Sequence, residues 1–227
     1  MKAVILAGGL GTRLAPLTKI IPKPLLPIGE SSVLEIQLVH LKKNGFDEIY
    51  LALGYKSEIF EAYLGDGSKW GVKIHYSHED KPLGTAGPIK LIEEGLKEPF
   101  LVINGDILTD MNFRSLAQFH KKQKADLTMA TKVVIFPLHY GSVKYKGNNV
   151  LDIVEKPSLS AEINAGIYFI SPEVLDLIPK GSPYSMDVLI KELIKRKYKV
   201  CRYELNNYWL DIGQMDDYNK AQEVFKS

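Results

Sequence analysis

The sequence predicts an α/β fold with a doubly wound, mainly parallel sheet and a smaller mixed or antiparallel extension. Three observations carry this prediction. Short apolar segments alternate with helical patterns over about the first 125 residues, and such alternation calls for right-handed crossovers between parallel strands. After Lys124 the strand-like segments follow one another closely, which is typical of antiparallel connections. Helical patterns then return near the end of the chain.

The first half of the chain begins with a predicted buried strand over Ala3–Ala7, an apolar run that ends at two glycines. A helix is expected to begin with Ser31 as its N-cap and to stop at Asn44, because leucines recur between them at helical spacing. The elements expected next are a strand over 48–53, a helix over 57–64, a strand over 72–76, a helix over 86–97 and a strand over 100–103.

The second half is expected to extend the same sheet. It begins near residue 125, where the sequence pattern changes to closely spaced strand-like segments. Its predicted strands are 127–135, 141–145, 150–155 and 163–170, and its predicted helices are 187–195 and 216–225. Cys201 lies in a further strand-like stretch and is interpreted as a small core residue.

Composition excludes several classes of protein. With 29 basic and 27 acidic side chains the net charge is +2, so there is no basic footprint for general nucleic-acid binding. The single cysteine cannot form an internal disulfide, and the five histidines show no zinc-site spacing. No segment has membrane-spanning length. We therefore expect a cytoplasmic protein with neither a nucleic-acid nor a membrane partner.

The loop after the first strand, Gly8-Gly9-Leu10-Gly11-Thr12-Arg13, predicts a phosphate-binding site. Closely spaced glycines let backbone amides converge on an anion, and Arg13 adds a fixed positive charge. Lys23, between two prolines, is a second cation. The loop is neither a dinucleotide fingerprint nor a P-loop. The residues alone also fit a sharp turn flanked by two solvated charges.

The chain resembles the sugar-1-phosphate nucleotidylyltransferases in a series of motifs. These are Met1 to Leu14, Pro22-Lys23-Pro24-Leu25, Pro82-Leu83-Gly84-Thr85-Ala86-Gly87, Asn104-Gly105-Asp106, Glu155-Lys156-Pro157, Asn164-Ala165-Gly166 and Trp209-Leu210-Asp211-Ile212-Gly213. The resemblance implies a Rossmann-like, glycosyltransferase-A-like fold and one domain over 1–227, with a nucleotide-binding part over about 1–125 and a sugar-phosphate-binding part over about 126–227. It also implies synthesis of a nucleotide sugar and pyrophosphate from a nucleoside triphosphate and a sugar 1-phosphate.

The same resemblance implies a role for each site residue. The expected catalytic residues are Arg13, Lys23 and Asp106, and Asp106 and Asp211 are the expected ligands of Mg²⁺. The expected nucleotide contacts are Leu6, Gly8, Gly9, Gly11, Thr12, Glu79, Gly84 and Thr85. The expected sugar-phosphate contacts are Gly141, Glu155, Lys156, Asn164 and Gly166. Without the resemblance, the aspartates also fit turn or cap positions, Lys156 a solvated lysine, and the two glycines bulges in strands.

Glu79 favours GTP as the nucleotide, because a carboxylate can accept both N1–H and N2–H of guanine. The segment before Pro82 also resembles the mannose- and heptose-1-phosphate guanylyltransferase branch. An exposed Glu79 with no role is the alternative. Two other functions stay open: a uridylyl-, thymidylyl- or cytidylyltransferase acting on a sugar phosphate or phosphocholine, and a non-catalytic nucleotide-sugar sensor. With no room after the last helix for a tail, we expect a monomer or homodimer.

Overall fold

The computed structural model describes residues 1–224 of the chain. Its strands are β1 (Lys2–Ala7), β2 (Pro27–Ile28), β3 (Ser31–Ser32), β4 (Glu48–Leu53), β5 (Lys73–His78), β6 (Phe100–Asn104), β7 (Ile107–Thr109), β8 (Leu127–Pro137), β9 (Ser142–Lys146), β10 (Asn149–Val154), β11 (Ser158–Ile170), β12 (Val200–Glu204) and β13 (Trp209–Asp211). Its helices are α1 (Val33–Lys43), α2 (Ser57–Leu64), α3 (Gly87–Lys90), α4 (Phe113–Gln123), α5 (Met186–Lys195) and α6 (Met215–Val224).

One seven-stranded sheet in the order β12-β8-β11-β6-β1-β4-β5 organises the molecule. All neighbouring strands pair in parallel except at β11, which is antiparallel to both β6 and β8. The predicted mainly parallel sheet with a mixed extension is therefore confirmed, and both halves of the chain contribute to it. The chain winds outward from β1 to β4 and β5, then crosses to β6 on the other side of β1. Ligands of such sheets bind at this reversal, outside the carboxyl ends of the strands.

Alternate residues of the central strands build a core on each face of the sheet. Ile5, Leu51 and Ile103 pack with the apolar faces of α1, α2 and α4. Val4 and Val102 pack on the opposite face with α3 and α5. Because both faces are covered, these strands are apolar throughout, and their continuous apolar runs made them recognisable in the sequence.

Helix α1 begins one residue later than predicted. Its N-cap is Ser32, not Ser31: the Ser32 hydroxyl accepts from the Glu35 N–H at 3.2 Å, and Glu35 Oε2 accepts from the Ser32 N–H at 2.8 Å. This reciprocal pair is a capping box, and it needs Ser and Glu three positions apart. Only Ser32 has that spacing.

The predicted helix over 86–97 is wrong in extent. A single turn, α3, is followed by a separate 3₁₀ turn over Glu93–Gly95. Gly95 lies against the Tyr50 ring, where an added Cβ would be 2.5 Å from the hydroxyl oxygen, and its carbonyl accepts from Lys2 Nζ at 2.7 Å. These contacts hold the chain close to the sheet, a geometry that a continuous helix does not provide.

Five elements, α4, β2, β3, β7 and β13, have no counterpart in the sequence-based prediction. Helix α4 is capped by Asn112 and buries His120 along with its apolar residues, so its apolar pattern is interrupted. Strands β7 and β13 are three residues each and pair antiparallel, with Asp211 opposite Ile107. Of the last predicted helix, Phe225 lies outside the described residues. Within residues 1–224, none of the helices has the length and apolarity to cross a membrane.

The outer part of the β8–β11 pair and the β9–β10 hairpin form an extension that we call the arm, residues 132–164. Beyond a bulge between Asn164 and Tyr168, β8 and β11 pair only with each other. Because β11 is antiparallel to β6, the arm runs past the carboxyl end of β6. None of the residues 132–164 is buried. The arm therefore projects on the side of the sheet where ligands are expected.

Candidate active site

A cavity of about 410 Å³ lies at the carboxyl ends of β1 and β6. All eight predicted nucleotide contacts line it: Leu6, Gly8, Gly9, Gly11, Thr12, Glu79, Gly84 and Thr85. Arg13, Lys23 and Asp106 line it too. Leu6 is the register partner of Asn104, so the loop after β1 and the turn after β6 meet at this edge. The topology thus brings together residues about 100 positions apart in sequence.

The glycine loop folds back onto the segment that leads to Lys23. Gly11 has a φ of +63°, and an added Cβ would lie 2.9 Å from Thr18 Cγ2 and 3.2 Å from Lys23 Cβ. Thr18 Oγ1 donates to the Gly11 carbonyl at 2.8 Å. Glycine is required here by both the left-handed backbone and the close approach. The loop consequently fixes the position of Lys23 beside the cavity.

Lys23 lies between the two predicted metal ligands. Its ammonium group donates to Asp106 Oδ2 and is 3.7 Å from Asp211 Oδ1. The Lys23 side chain is only 11% exposed. The pairing of β13 with β7 places Asp211 here, since the Ile212 N–H donates to the Asp106 carbonyl at 3.0 Å. The two aspartates, 105 positions apart in the sequence, thus share one cleft.

The acidic pair has the donor atoms that a hard divalent cation requires. Asp106 Oδ1 and Asp211 Oδ1 are both buried, and neither accepts a hydrogen bond from any of the described residues. Burial and the neighbouring Asp106 raise the pKa of Asp211, against the opposing effect of Lys23 and Arg13. Two unpartnered carboxylate oxygens fit Mg²⁺, which takes one or two protein carboxylates and completes its shell with phosphate and water. Within residues 1–224 no cluster of three or more His, Cys, Asp or Glu side chains could hold a metal.

Arg13 reaches the same cleft from the exposed side. An added Cβ at Gly213 would be 3.6 Å from both Arg13 Nη1 and Asp211 Oδ1. Gly213 is itself part of the cavity wall. The guanidinium is therefore next to the acidic pair and remains available to an anion, which agrees with its predicted role.

Glu79 lies in a narrow space between two glycines. An added Cβ would be 2.2 Å from Glu79 Oε1 at Gly8 and 2.9 Å from it at Gly54. The Leu83 N–H donates to Oε2 at 2.8 Å. Burial raises the pKa of Glu79, and the hydrogen bond from Leu83 works against this shift. Glu79 is thus a positioned carboxylate in the cavity wall, not a freely exposed side chain.

The predicted sugar-phosphate contacts are divided between the base of the arm and its outer part. Gly166, with a φ of +69°, lies against Asn104, and Asn164 Oδ1 accepts from the Gly166 N–H at 3.0 Å. Gly166 falls within the β11 bulge. Gly141, Glu155 and Lys156 lie where the β8–β11 pair joins the β9–β10 hairpin. None of the five predicted contacts lines the cavity. Their role stays a prediction.

Sequence reasoning missed two contributors to this site. Gly54 follows β4 and makes room for Glu79; a glycine directly after a buried strand was the available signal. Gln37 of α1 is buried and donates to backbone carbonyls beside Asp106. It interrupts the apolar face of the helix, and that interruption could have identified it.

Comparisons with known proteins identify relatives of this chain. Over 226 residues the chain is 40% identical to a mannose-1-phosphate guanyltransferase of Yarrowia lipolytica, covering 96% of this chain and 62% of that protein. It is 40% identical over 232 residues to the mannose-1-phosphate guanylyltransferase catalytic subunit beta of Dictyostelium discoideum, covering 99% of this chain and 64% of that protein. The chain thus spans less than two thirds of the length of these relatives.

A solved structure, HddC from Yersinia pseudotuberculosis, superposes with a TM-score of 0.79 at 31% identity over 99% of both chains. The same protein has been solved in complex with GMP-PN. The model of the nucleotidyl transferase family matches residues 2–227. A match of that extent, on a chain whose glycine loop, Lys23 and Asp106 line one cavity, shows that this protein belongs to the nucleotidyl transferase family.

Proposed function

We propose that the protein is a sugar-1-phosphate guanylyltransferase. An oxygen of the sugar 1-phosphate forms a bond to the α-phosphorus of GTP. The bond from that phosphorus to the oxygen bridging to the β-phosphate breaks in line, and pyrophosphate leaves with the electron pair. The products are a GDP-sugar and pyrophosphate. The attacking oxygen is already ionised near neutral pH, so the reaction demands no general base.

The observation that carries this proposal is the convergence of the glycine loop, Arg13, Lys23 and Asp106 on one cavity, with Asp211 3.7 Å from Lys23 beside it. The main obstacle to the reaction is repulsion between two polyanions, about 4 kcal/mol per pair of unit charges at 4 Å and an effective dielectric constant near 20. Two fixed cations and the backbone amides of a glycine loop offset such repulsion and align the reactants. No nucleophilic side chain is needed.

Asp106 and Asp211 would hold Mg²⁺ through the oxygens that lack hydrogen-bond partners. The ion would supply positive charge to the phosphate oxygens when bound. Lys23 already offsets part of the negative charge of the pair in this structure. It would remain beside the pair to balance the charge of the triphosphate, while Arg13 reaches the phosphates from the open side.

Guanine is favoured because Glu79 presents a fixed carboxylate to the cavity. Within residues 1–224 no backbone N–H donates to Oε1, and Oε2 keeps a second lone pair besides the one used by Leu83. The relatives named above support GTP with mannose 1-phosphate as the first pair to examine. The test is pyrophosphate release across four nucleoside triphosphates and several sugar 1-phosphates, with phosphocholine included. Tight nucleotide binding without turnover in any pair would instead indicate a nucleotide-sugar sensor.

Glu79→Gln should lower kcat/KM for GTP by about 10- to 100-fold, since a well-placed pair of base contacts contributes about 1–3 kcal/mol of discrimination. Activity with UTP or CTP should change much less, because neither base offers two adjacent donors. Competition assays with the four triphosphates measure this ranking. Asp80→Asn, a change at an exposed neighbour, is the matched control. An unchanged ranking in Glu79→Gln would remove guanine recognition from this residue.

The exposed apolar side chains of the arm favour a homodimer over a monomer as the state of the protein in solution. One face of the β9–β10 hairpin carries Val143, Tyr145, Val150 and Ile153, which are 46–72% exposed. The charged Lys144 and Asp152 pair at 3.3 Å on the other face. Eleven large apolar side chains of the arm are exposed on its two faces, and exposed apolar surface of this kind is typical of protein–protein contacts. Because the face is uncharged, it can pack against its own copy about a twofold axis.

Sedimentation velocity tests this assembly. The wild type should be a dimer at micromolar concentration, and Ile153→Lys should shift it to monomer by placing a charge in the apolar face. Lys144→Gln, on the opposite face of the same hairpin, should leave the dimer intact. A monomeric wild type, or a dimer that survives Ile153→Lys, would show that this face is not the interface.

A further inference from the structure

Asp106 stands on a short turn, residues 104–107, that connects β6 to β7. Two backbone hydrogen bonds hold the middle of this turn: the Gly105 N–H donates to the Leu6 carbonyl at 2.9 Å, and the Asp106 carbonyl accepts from Ile212 at 3.0 Å. The carboxylate geometry therefore depends on how firmly the two ends of the turn are held.

Gln37 of α1 bonds to both ends. Its Nε2 donates to the carbonyl oxygens of Asn104, at 2.9 Å, and Ile107, at 2.7 Å. Both partners are acceptors, so only the amide nitrogen can face them, and this settles the orientation of the side-chain amide. These two carbonyls bracket Gly105 and Asp106 in the chain. One side chain thus connects the helix to both ends of the turn.

Burying Gln37 at this position carries a free-energy cost, because its side chain is polar. It is 4% exposed, on the helix face that also buries Leu34, Leu38 and Leu41. Its Oε1 is buried and accepts no hydrogen bond from any of residues 1–224. Such an unpaired group costs about 1–3 kcal/mol. A leucine would avoid that cost, so what the glutamine contributes is the pair of bonds to the turn.

We propose that Gln37 is a positioning residue for the metal-binding pair. Ile107, which accepts from Gln37, is also the register partner of Asp211 in β13. By tying Asn104 and Ile107 to α1, the amide fixes the separation between the Asp106 and Asp211 carboxylates. This inference rests on the proposed function only in assigning a divalent cation to that pair.

Mn²⁺ binding to the nucleotide-free protein, followed by loss of the free-ion EPR signal, tests the proposal without measuring catalysis. Gln37→Leu should weaken Mn²⁺ binding about 10- to 100-fold, the range typical for outer partners of metal ligands. Its thermal midpoint should stay near that of the wild type, because an unpaired amide oxygen is removed together with the two bonds. Leu41→Ala, one turn further along the same buried face, is the control. This variant should have a lower thermal midpoint and an unchanged affinity for Mn²⁺.

Asp106→Asn is the reference variant, because it removes one of the two carboxylates that are proposed to bind the ion. If Gln37→Leu binds Mn²⁺ like the wild type while Asp106→Asn does not, the positioning role is wrong and the metal pair stands. If the wild type binds no better than Asp106→Asn, the metal assignment fails and the positioning role fails with it.

Discussion

Replacing Asp106 by Asn should lower kcat by about 1000-fold, equivalent to about 4 kcal/mol of transition-state stabilisation. The substitution keeps the size of the side chain and removes its charge. Lys23 then loses its closest partner, and the acidic pair loses one of its two buried carboxylate oxygens. Steady-state pyrophosphate release with GTP and mannose 1-phosphate measures the effect.

Asp110→Asn is the matched control for this variant, since Asp110 is an exposed residue of the same connection and does not line the cavity. It should retain near-wild-type kcat. Circular dichroism and thermal melting establish that both variants are folded. Full activity in a folded Asp106→Asn protein would contradict the assignment of this carboxylate to the reaction.

Replacing Lys23 by Met should move two quantities in opposite directions. We expect kcat to fall by about 100- to 1000-fold, because a cation beside the reacting phosphates is lost. The affinity for Mn²⁺ should rise by about 10-fold, since Lys23 occupies the space between the two carboxylates. Removing the positive charge that lies beside both carboxylates would relieve its repulsion of a bound cation.

The two readouts separate this role from a structural one. Merely loosening the site would lower both kcat and Mn²⁺ affinity, whereas loss of a lysine that competes with the ion should lower kcat and raise Mn²⁺ affinity. Lys19→Met, at an exposed lysine of the same segment, should change neither quantity. Weaker Mn²⁺ binding in Lys23→Met would show that the lysine does not compete with the ion.

Much of the fold was predictable because the central strands are buried on both faces. β1, β4 and β6 are continuous apolar runs, and the predicted strands coincide with them to within one or two residues. Elements stabilised mainly by tertiary contacts were not predictable. The break after α3 depends on Gly95 meeting Tyr50, and β7 and β13 are too short to carry a pattern and exist because they pair with each other.

The sequence alone determined the chemistry available to this protein. A glycine loop after a buried strand, two cations and two aspartates predicted phosphate transfer once their order was compared with a known family, because these residue types can bind phosphates and divalent cations when they lie together. Only the tertiary structure decided how they are placed. It put Lys23 between Asp106 and Asp211, wedged Glu79 between Gly8 and Gly54, and brought Gln37 to the turn below Asp106. The physical reason is that these contacts join residues from different strands and helices, so their distances depend on sheet order and register and not on local sequence.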